Sequence, residues 1–478
     1  MIHRNLIGGE WVQGPTRPNV NPSDTNDVIG QYGQADAAQA RVALDAARAA
    51  FPAWSRTTIQ HRADILDRIG AEILERRAEI ADLLAREEGK TLAEATGEAV
   101  RAGNTFKYFA GEALRIPGDC PGSVRPGVEV MITREALGVI ALITPWNYPI
   151  AIPSWKVAPA LAFGNCVVLK PADLAPGCAW LLADIIHRSG CPAGVFNLVM
   201  GSGRELGGVL TGPGVDAISF TGSTEVGGAI RRAAAENNLR VQLEMGGKNP
   251  LVVLRDADID LAAGLACDGA FGSTGQRCTA SSRLIVDTEI HDAFVERLVE
   301  RMGRIEVGDA RAAGTTMGPA VDERQLNSNL AYVDAATSEG GRLVSGGERL
   351  TRSTPGHYMA PALITETTAE MKINREEVFG PVASIIRVNG YEEAIAVAND
   401  TPFGLSAGIC TQSLSHAMRF RRDAQAGQVM VNLPTAGVDY HAPFGGRKAS
   451  SQGPREQGRS ASEFYTTVKT AYIGVGAP

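Results

Sequence analysis

No stretch of this chain is apolar for long enough to cross a bilayer. The run Val139–Ile143 is apolar but stops at Pro145, far short of the roughly 20 residues a spanning helix needs. The opening Met1-Ile-His-Arg-Asn-Leu-Ile-Gly-Gly-Glu10 carries a short apolar patch but no signal-peptide core. Cysteine is sparse: seven in 478 residues, an odd number without framework spacing or zinc-type pairing. That argues against a disulfide scaffold and a metal site, and fits reduced thiols in a cytoplasm. There is no basic tail or arginine-rich helix, and the formal net charge is −7, which argues against a general nucleic-acid binder. Internal repeats and low-complexity segments are also missing. What remains, with 44% hydrophobic and 21% charged residues, is the composition of an ordinary soluble enzyme. Its length predicts two or more domains.

Residues 5–33 mix short β-like runs with turns such as Asn21-Pro22-Ser23-Asp24. The pattern then predicts helices: one opened by Asp36-Ala37-Ala38, a long amphipathic one over 60–88, and a third over 91–114. Ile65, Leu66, Ile69, Ile73 and Leu74 recur at helical spacing and face a core. Pro117-Gly-Asp-Cys-Pro-Gly122 is a break, and 128–134 alternates like a strand. From Gly138, strands over 139–143, 166–169, 195–199, 217–220 and 240–243 alternate with helices, notably 177–189 and 205–210. That alternation predicts a parallel, doubly wound sheet. A second α/β unit follows, with strands over 251–254, 282–286, 383–388 and 427–432 and helices over 258–271 and 291–304. Residues 463–473 alternate as an exposed strand whose edge needs cover.

One thiol stands apart. Cys278, in Phe271-Gly-Ser-Thr-Gly-Gln-Arg-Cys278-Thr-Ala, has small and polar neighbours that leave a sulfur reachable. Its own N–H is placed to support an oxyanion. Alone, it reads equally as a buried thiol in a Gly-rich turn. Two further stretches favour chemistry. Glu244 closes an alternating segment and precedes Gly246-Gly247, a position for a general base. In Thr144-Pro-Trp146-Asn147-Tyr148-Pro149, two prolines hold an amide side chain suited to an oxyanion.

Together these stretches resemble the aldehyde dehydrogenase superfamily, nearly end to end. The resemblance rests on Pro145-Trp-Asn147, Lys170-Pro171, Phe220-Thr-Gly222-Ser223, Glu244-Met-Gly-Gly-Lys248, Gly275-Gln-Arg-Cys278, Glu377-Val-Phe379-Gly-Pro381 and Pro443-Phe-Gly-Gly446. It implies two doubly wound α/β domains plus a small β oligomerisation arm. The expected divisions are a cofactor domain at 1–116 and 137–246, a catalytic domain at 247–456, and an arm at 117–136 and 457–478. The arm implies a homo-oligomer, dimer or tetramer.

The resemblance also implies NAD or NADP as cofactor, held by Thr144, Trp146, Lys170, Asp173, Gly222, Ser223, Gly227, Glu377 and Phe379. The turn at Gly222 is not the GxGxxG of typical dinucleotide folds, although small residues at a helix start suit a pyrophosphate. Many NAD-preferring members carry Glu where this chain has the shorter Asp173, so NAD use is expected, with dual specificity left open. In the implied mechanism Cys278 attacks an aldehyde, Asn147 and the Cys278 N–H hold the oxyanion, and Glu244 activates water to hydrolyse a thioester. The stretches Ser273 to Arg283 and Glu463 to Lys469 look like the bacterial α-ketoglutarate semialdehyde (2,5-dioxopentanoate) dehydrogenases. A broad-specificity or succinate semialdehyde enzyme is the alternative, and a non-catalytic protein of the same fold the remoter one. A distal carboxylate needs a cation, for which Arg277 and Arg283 are the nearby candidates. Tyr148, Trp155, Val438 and Phe444 are expected to line the substrate tunnel.

Overall fold

The computed structural model describes residues 2–474. Two large sheets organise it. The first has eight strands, and five of them are parallel: Phe196–Leu198, Cys166–Lys170, Val139–Ile143, Ala217–Thr221 and Arg240–Glu244, in that spatial order. The chain starts at Val139–Ile143, builds outward to one side through two strands, and then returns to build on the other. The strand order therefore reverses between Val139–Ile143 and Ala217–Thr221. Such a reversal opens a crevice at the carboxyl ends of the two strands. Thr144–Asn147 and Gly222–Ser223 leave the sheet at that crevice.

The fully buried parallel strands are apolar almost throughout, as expected of a sheet covered on both faces. Helices Ala37–Trp54, Ile59–Glu75, Leu92–Ala113, Ala151–Ala162 and Pro176–Arg188 pack around this sheet in one core. Each of the first three opens on a side chain that accepts from a backbone N–H: Asp36, Thr58 and Thr91, the last with Glu94 in a capping box. The long helix expected over 60–88 is two helices, Ile59–Glu75 and Arg77–Glu88. Arg76 at the junction ion-pairs with Glu72, Glu79 and Asp184, tying the break to a neighbouring helix. No helix among the described residues is long and apolar enough to cross a membrane.

The second sheet has seven strands. Asn249–Val253 lies inside it between Ser281–Asp287 and Ser406–Cys410, and only the edge strand Arg342–Ser345 runs antiparallel. Strand Val128–Ala136 pairs antiparallel with Thr466–Gly474 through nine registered residues. Residues 463–465, expected within that strand, belong instead to the short helix Ala461–Tyr465. Its Ala461, Phe464 and Tyr465 are buried in the first core, because apolar side chains on consecutive residues reach one core only from a helix. Ser451–Gln452, expected with the second domain, pairs with Arg240–Glu244 at the edge of the first sheet.

Candidate active site

Cys278 lies at the meeting of the two sheets. Helix Ile259–Phe271 ends at Gly272, and Ser273, Thr274 and Gly275 then take successive left-handed conformations (φ 49°, 57° and 65°). Such backbone is held only where the surroundings fix it. Glu94 accepts from the Ser273 N–H at 2.6 Å, and the Thr274 hydroxyl donates to Gly318 O at 3.1 Å. A Cβ at Gly275 would drive into the Gly380 carbonyl. The turn delivers Cys278 to the wall of a cleft of about 370 Å³. Asn249 Nδ2 donates to the Cys278 carbonyl at 2.8 Å.

Asn147 lines the same cleft. Its Nδ2 donates to Gln276 O at 2.9 Å, leaving the second amide hydrogen uncommitted. Its own carbonyl accepts from Lys90 Nζ at 2.8 Å, and Lys90 is paired with Glu98 at 2.6 Å. Lys90 Nζ also stands 3.7 Å from the centroid of the Tyr148 ring. A buried ion pair thus clamps the backbone that carries the amide.

Glu244 ends its strand buried at 2% exposure. Ser451 Oγ donates to its carboxylate at 2.5 Å. Burial holds this carboxyl well above the usual carboxylate range, and the Glu456 charge adds to the effect. Lys156 opposes it: its Nζ donates to Ser219 Oγ at 2.8 Å and to the Glu456 carboxylate. The Cys278 thiol is pushed up to about 12 by burial first and by Glu377 and Glu244 next, with its own N–H drawing the other way. Burial and the neighbouring carboxylates therefore favour the thiol over the thiolate at Cys278.

The rest of the cleft is lined from both units of the chain. Trp146 meets Phe379 edge-on at 5.4 Å. Thr221, Gly222 and Ser223 form its floor, and Ser223 Oγ caps helix Thr224–Glu236. Gly227 is buried in that helix, where a Cβ would strike Met245. The hydroxyls of Thr144 and Thr221 are buried without partners. Gly247 N–H donates to Glu377 at 2.9 Å, and burial still raises that carboxyl to about 7. A Cβ at Gly246 would enter the Glu377 carboxylate, so only glycine leaves this wall open. Lys170, at its strand end, bonds Asp173 at 3.2 Å. A helix N-terminus, two idle hydroxyls, a Lys–Asp pair and a glycine-lined wall together fit a dinucleotide.

Two sequence expectations fail. Arg283 is fully buried in the second sheet, and its guanidinium donates to the carbonyls of Lys248, Val397 and Ala398. Arg277 turns back onto the end of helix Ile259–Phe271, donating to the Asp268 and Gly269 carbonyls. Both donate to main-chain carbonyls and neither lines the cleft. Trp155 and Phe444 pack together with centroids 5.5 Å apart, and Val438 is half-buried in the loop before Phe444. Lys156 and Glu456 did not stand out in the sequence. The available signal was a single charge inside the otherwise apolar helix Ala151–Ala162.

The chain matches the Aldehyde dehydrogenase family over residues 11–471 and belongs to it. It is 44% identical to an alpha-ketoglutaric semialdehyde dehydrogenase of Bacillus subtilis (strain 168), covering 98% of this chain and 97% of that one. It is 39% identical to a 3-sulfolactaldehyde dehydrogenase of Pseudomonas putida, covering 98% and 96% respectively. The structure superimposes on a betaine aldehyde dehydrogenase of Staphylococcus aureus in complex with NAD+, with a TM-score of 0.97 and 36% identity over 100% and 96% of the two chains.

Proposed function

We propose that the chain oxidises an aldehyde bearing a distal carboxylate, 2,5-dioxopentanoate (α-ketoglutarate semialdehyde), to the dicarboxylic acid. Cys278 is the nucleophile. The observation carrying this reading is that Cys278 and Asn147 line one cleft, with one Asn147 amide hydrogen uncommitted. Attack forms a thiohemiacetal whose oxyanion is held by Asn147 Nδ2 and the Cys278 N–H, donors set before the reaction begins. NAD or NADP would be held by Thr144, Trp146, Lys170, Asp173, Gly222, Ser223, Glu377 and Phe379, with Gly227 allowing the capped helix to pack closely, and would accept the hydride whose loss converts the thiohemiacetal into a thioester on Cys278. Glu244 receives a proton from water, which then hydrolyses the thioester. Glu244 must be deprotonated to do this, and Lys156 and Arg455 work against the burial that favours its neutral form.

The far-end carboxylate is supported by the Bacillus relative's substrate name. The Pseudomonas relative is named for an aldehyde whose far end is a sulfonate, so an anionic tail is common to both. Val468, Tyr472 and Ile473 are exposed on Thr466–Gly474, which supports homo-oligomerisation through this two-stranded arm, in a cytoplasmic enzyme.

The test is the initial rate of NADH and NADPH formation on 2,5-dioxopentanoate, 3-sulfolactaldehyde, succinate semialdehyde, propanal and benzaldehyde. A kcat/KM for 2,5-dioxopentanoate at least tenfold above the others is expected. A flat profile or a preference for uncharged aldehydes would overturn the substrate assignment.

A further inference from the structure

With Arg277 and Arg283 engaged elsewhere, a distal carboxylate needs another cation. Arg101, on helix Leu92–Ala113, stands over the Trp155 ring with its guanidinium carbon 5.4 Å from the centroid. Its Nη2 donates to Gln457 Oε1 at 3.1 Å. Cys278, Tyr148 and Asp439 lie within its electrostatic reach. Among the described residues no carboxylate makes an ion pair with it. Glu98, the acid one turn earlier, is committed to Lys90 at 2.6 Å and to the N–H groups of Ile150 and Ala151 at 3.1 Å. Asp439 is exposed and makes no hydrogen bond to Arg101.

The polar atoms here share one character. Arg101 Nε, Gln457 Nε2 and Trp155 Nε1 are all buried, all donors, and all without a partner. Gln457 is fully buried and sits at φ 59°, a left-handed backbone held at some cost. Buried donors without acceptors are costly. A carboxylate is acceptor-only and satisfies several donors at once. The Trp155 and Phe444 rings, tilted 32° to one another, offer an apolar wall for the methylene groups between the two ends of such a substrate.

We propose that Arg101, with Gln457 and the Trp155 indole N–H, binds the carboxylate at the far end of the substrate. The proposal rests on the substrate reading above. It makes the anchor three side chains, from helix Leu92–Ala113, helix Ala151–Ala162 and the loop before Ala461–Tyr465, all remote in sequence from Cys278.

The experiment compares kcat/KM for 2,5-dioxopentanoate with that for pentanal, the uncharged aldehyde of equal length, in the wild type, R101M and R101K. Arg101→Met is expected to lower this ratio by about 30- to 100-fold, the scale of lost charge-assisted hydrogen bonds. The loss should fall mainly on KM, because the contact is the same before and during the reaction. Arg101→Lys, a point charge without the fork, should recover part of the ratio. A ratio within threefold of wild type in both variants, or an equal loss on both aldehydes, would overturn the proposal. The wild-type ratio is a separate outcome: a preference for pentanal sinks the substrate reading instead. If R101M does not fold, R101K decides through inhibition by the product 2-oxoglutarate against pentanal. A Ki raised at least fivefold supports the anchor, and an unchanged Ki refutes it.

Discussion

Lys156→Met removes the buried cation that pairs with Glu456 and also draws down the proton affinity of Glu244. Lys156 is completely buried, and its partner Glu456 is 2% exposed. With Lys156 gone, Glu456 keeps a Ser219 contact at 3.3 Å, while its Oε2 already has no partner. Stranding one member of a buried pair costs about 3–5 kcal/mol. Unfolding entropy near 2.1 cal/mol/K per residue gives about 1 kcal/mol/K for 478 residues. A whole-chain transition should therefore fall by about 3–5 °C, and by about twice that if only half the chain melts together. Calorimetry with urea titration measures the loss. The double variant K156M/E456Q should recover much of it, because no stranded charge remains. A single variant within 1 kcal/mol of wild type, or a double variant no better than the single, would refute the argument. The same substitution has a kinetic sign. Glu244 must be deprotonated to act as a base, and Lys156 is one of the groups holding its proton affinity down. Losing Lys156 moves the ascending limb of thioester hydrolysis to higher pH, and Glu456→Gln moves it lower. Shifts in the opposite directions would show that these charges do not govern Glu244.

Glu244→Gln should leave acylation in place and stop turnover: a burst of about one NAD(P)H per site, then a steady state reduced by 10²–10⁴, whereas Cys278→Ala gives no burst. Asn147→Ala should cost about 10²–10³ in the burst rate, the scale of one lost oxyanion donor, read by stopped-flow; a loss under fivefold would remove Asn147 from that role. Asp173→Ser removes the carboxylate beside Lys170 and should raise the NADP-to-NAD ratio of kcat/KM, since a 2′-phosphate no longer meets a negative charge.

Much of the fold was legible along the chain. The strands over 139–143 and 217–220 could be read because fully buried parallel strands are continuous apolar runs, and the helices over 37–54 and 92–113 because capping residues and helical spacing are local signals. Cys278, Glu244 and Asn147 stood out because small, rigid or turn-forming neighbours surround each of them. The break at Arg76 and the helical turn at 461–465 were not legible. Both depend on partners distant in sequence, Asp184 in one case and the first core in the other. The largest gap concerns the arginines. Proximity to Cys278 in sequence pointed to Arg277 and Arg283, but each is consumed by main-chain carbonyls. Arg101 sits in a helix that reads as packing and becomes a buried cation without a carboxylate partner only when Leu92–Ala113, Trp155 and Gln457 come together. Local pattern alone determined most of the elements and singled out Cys278, Glu244 and Asn147, because propensity, capping and turn geometry act over a few residues. Which charges are free to meet a substrate was decided by the tertiary structure, because a side chain's availability depends on every donor and acceptor packed against it.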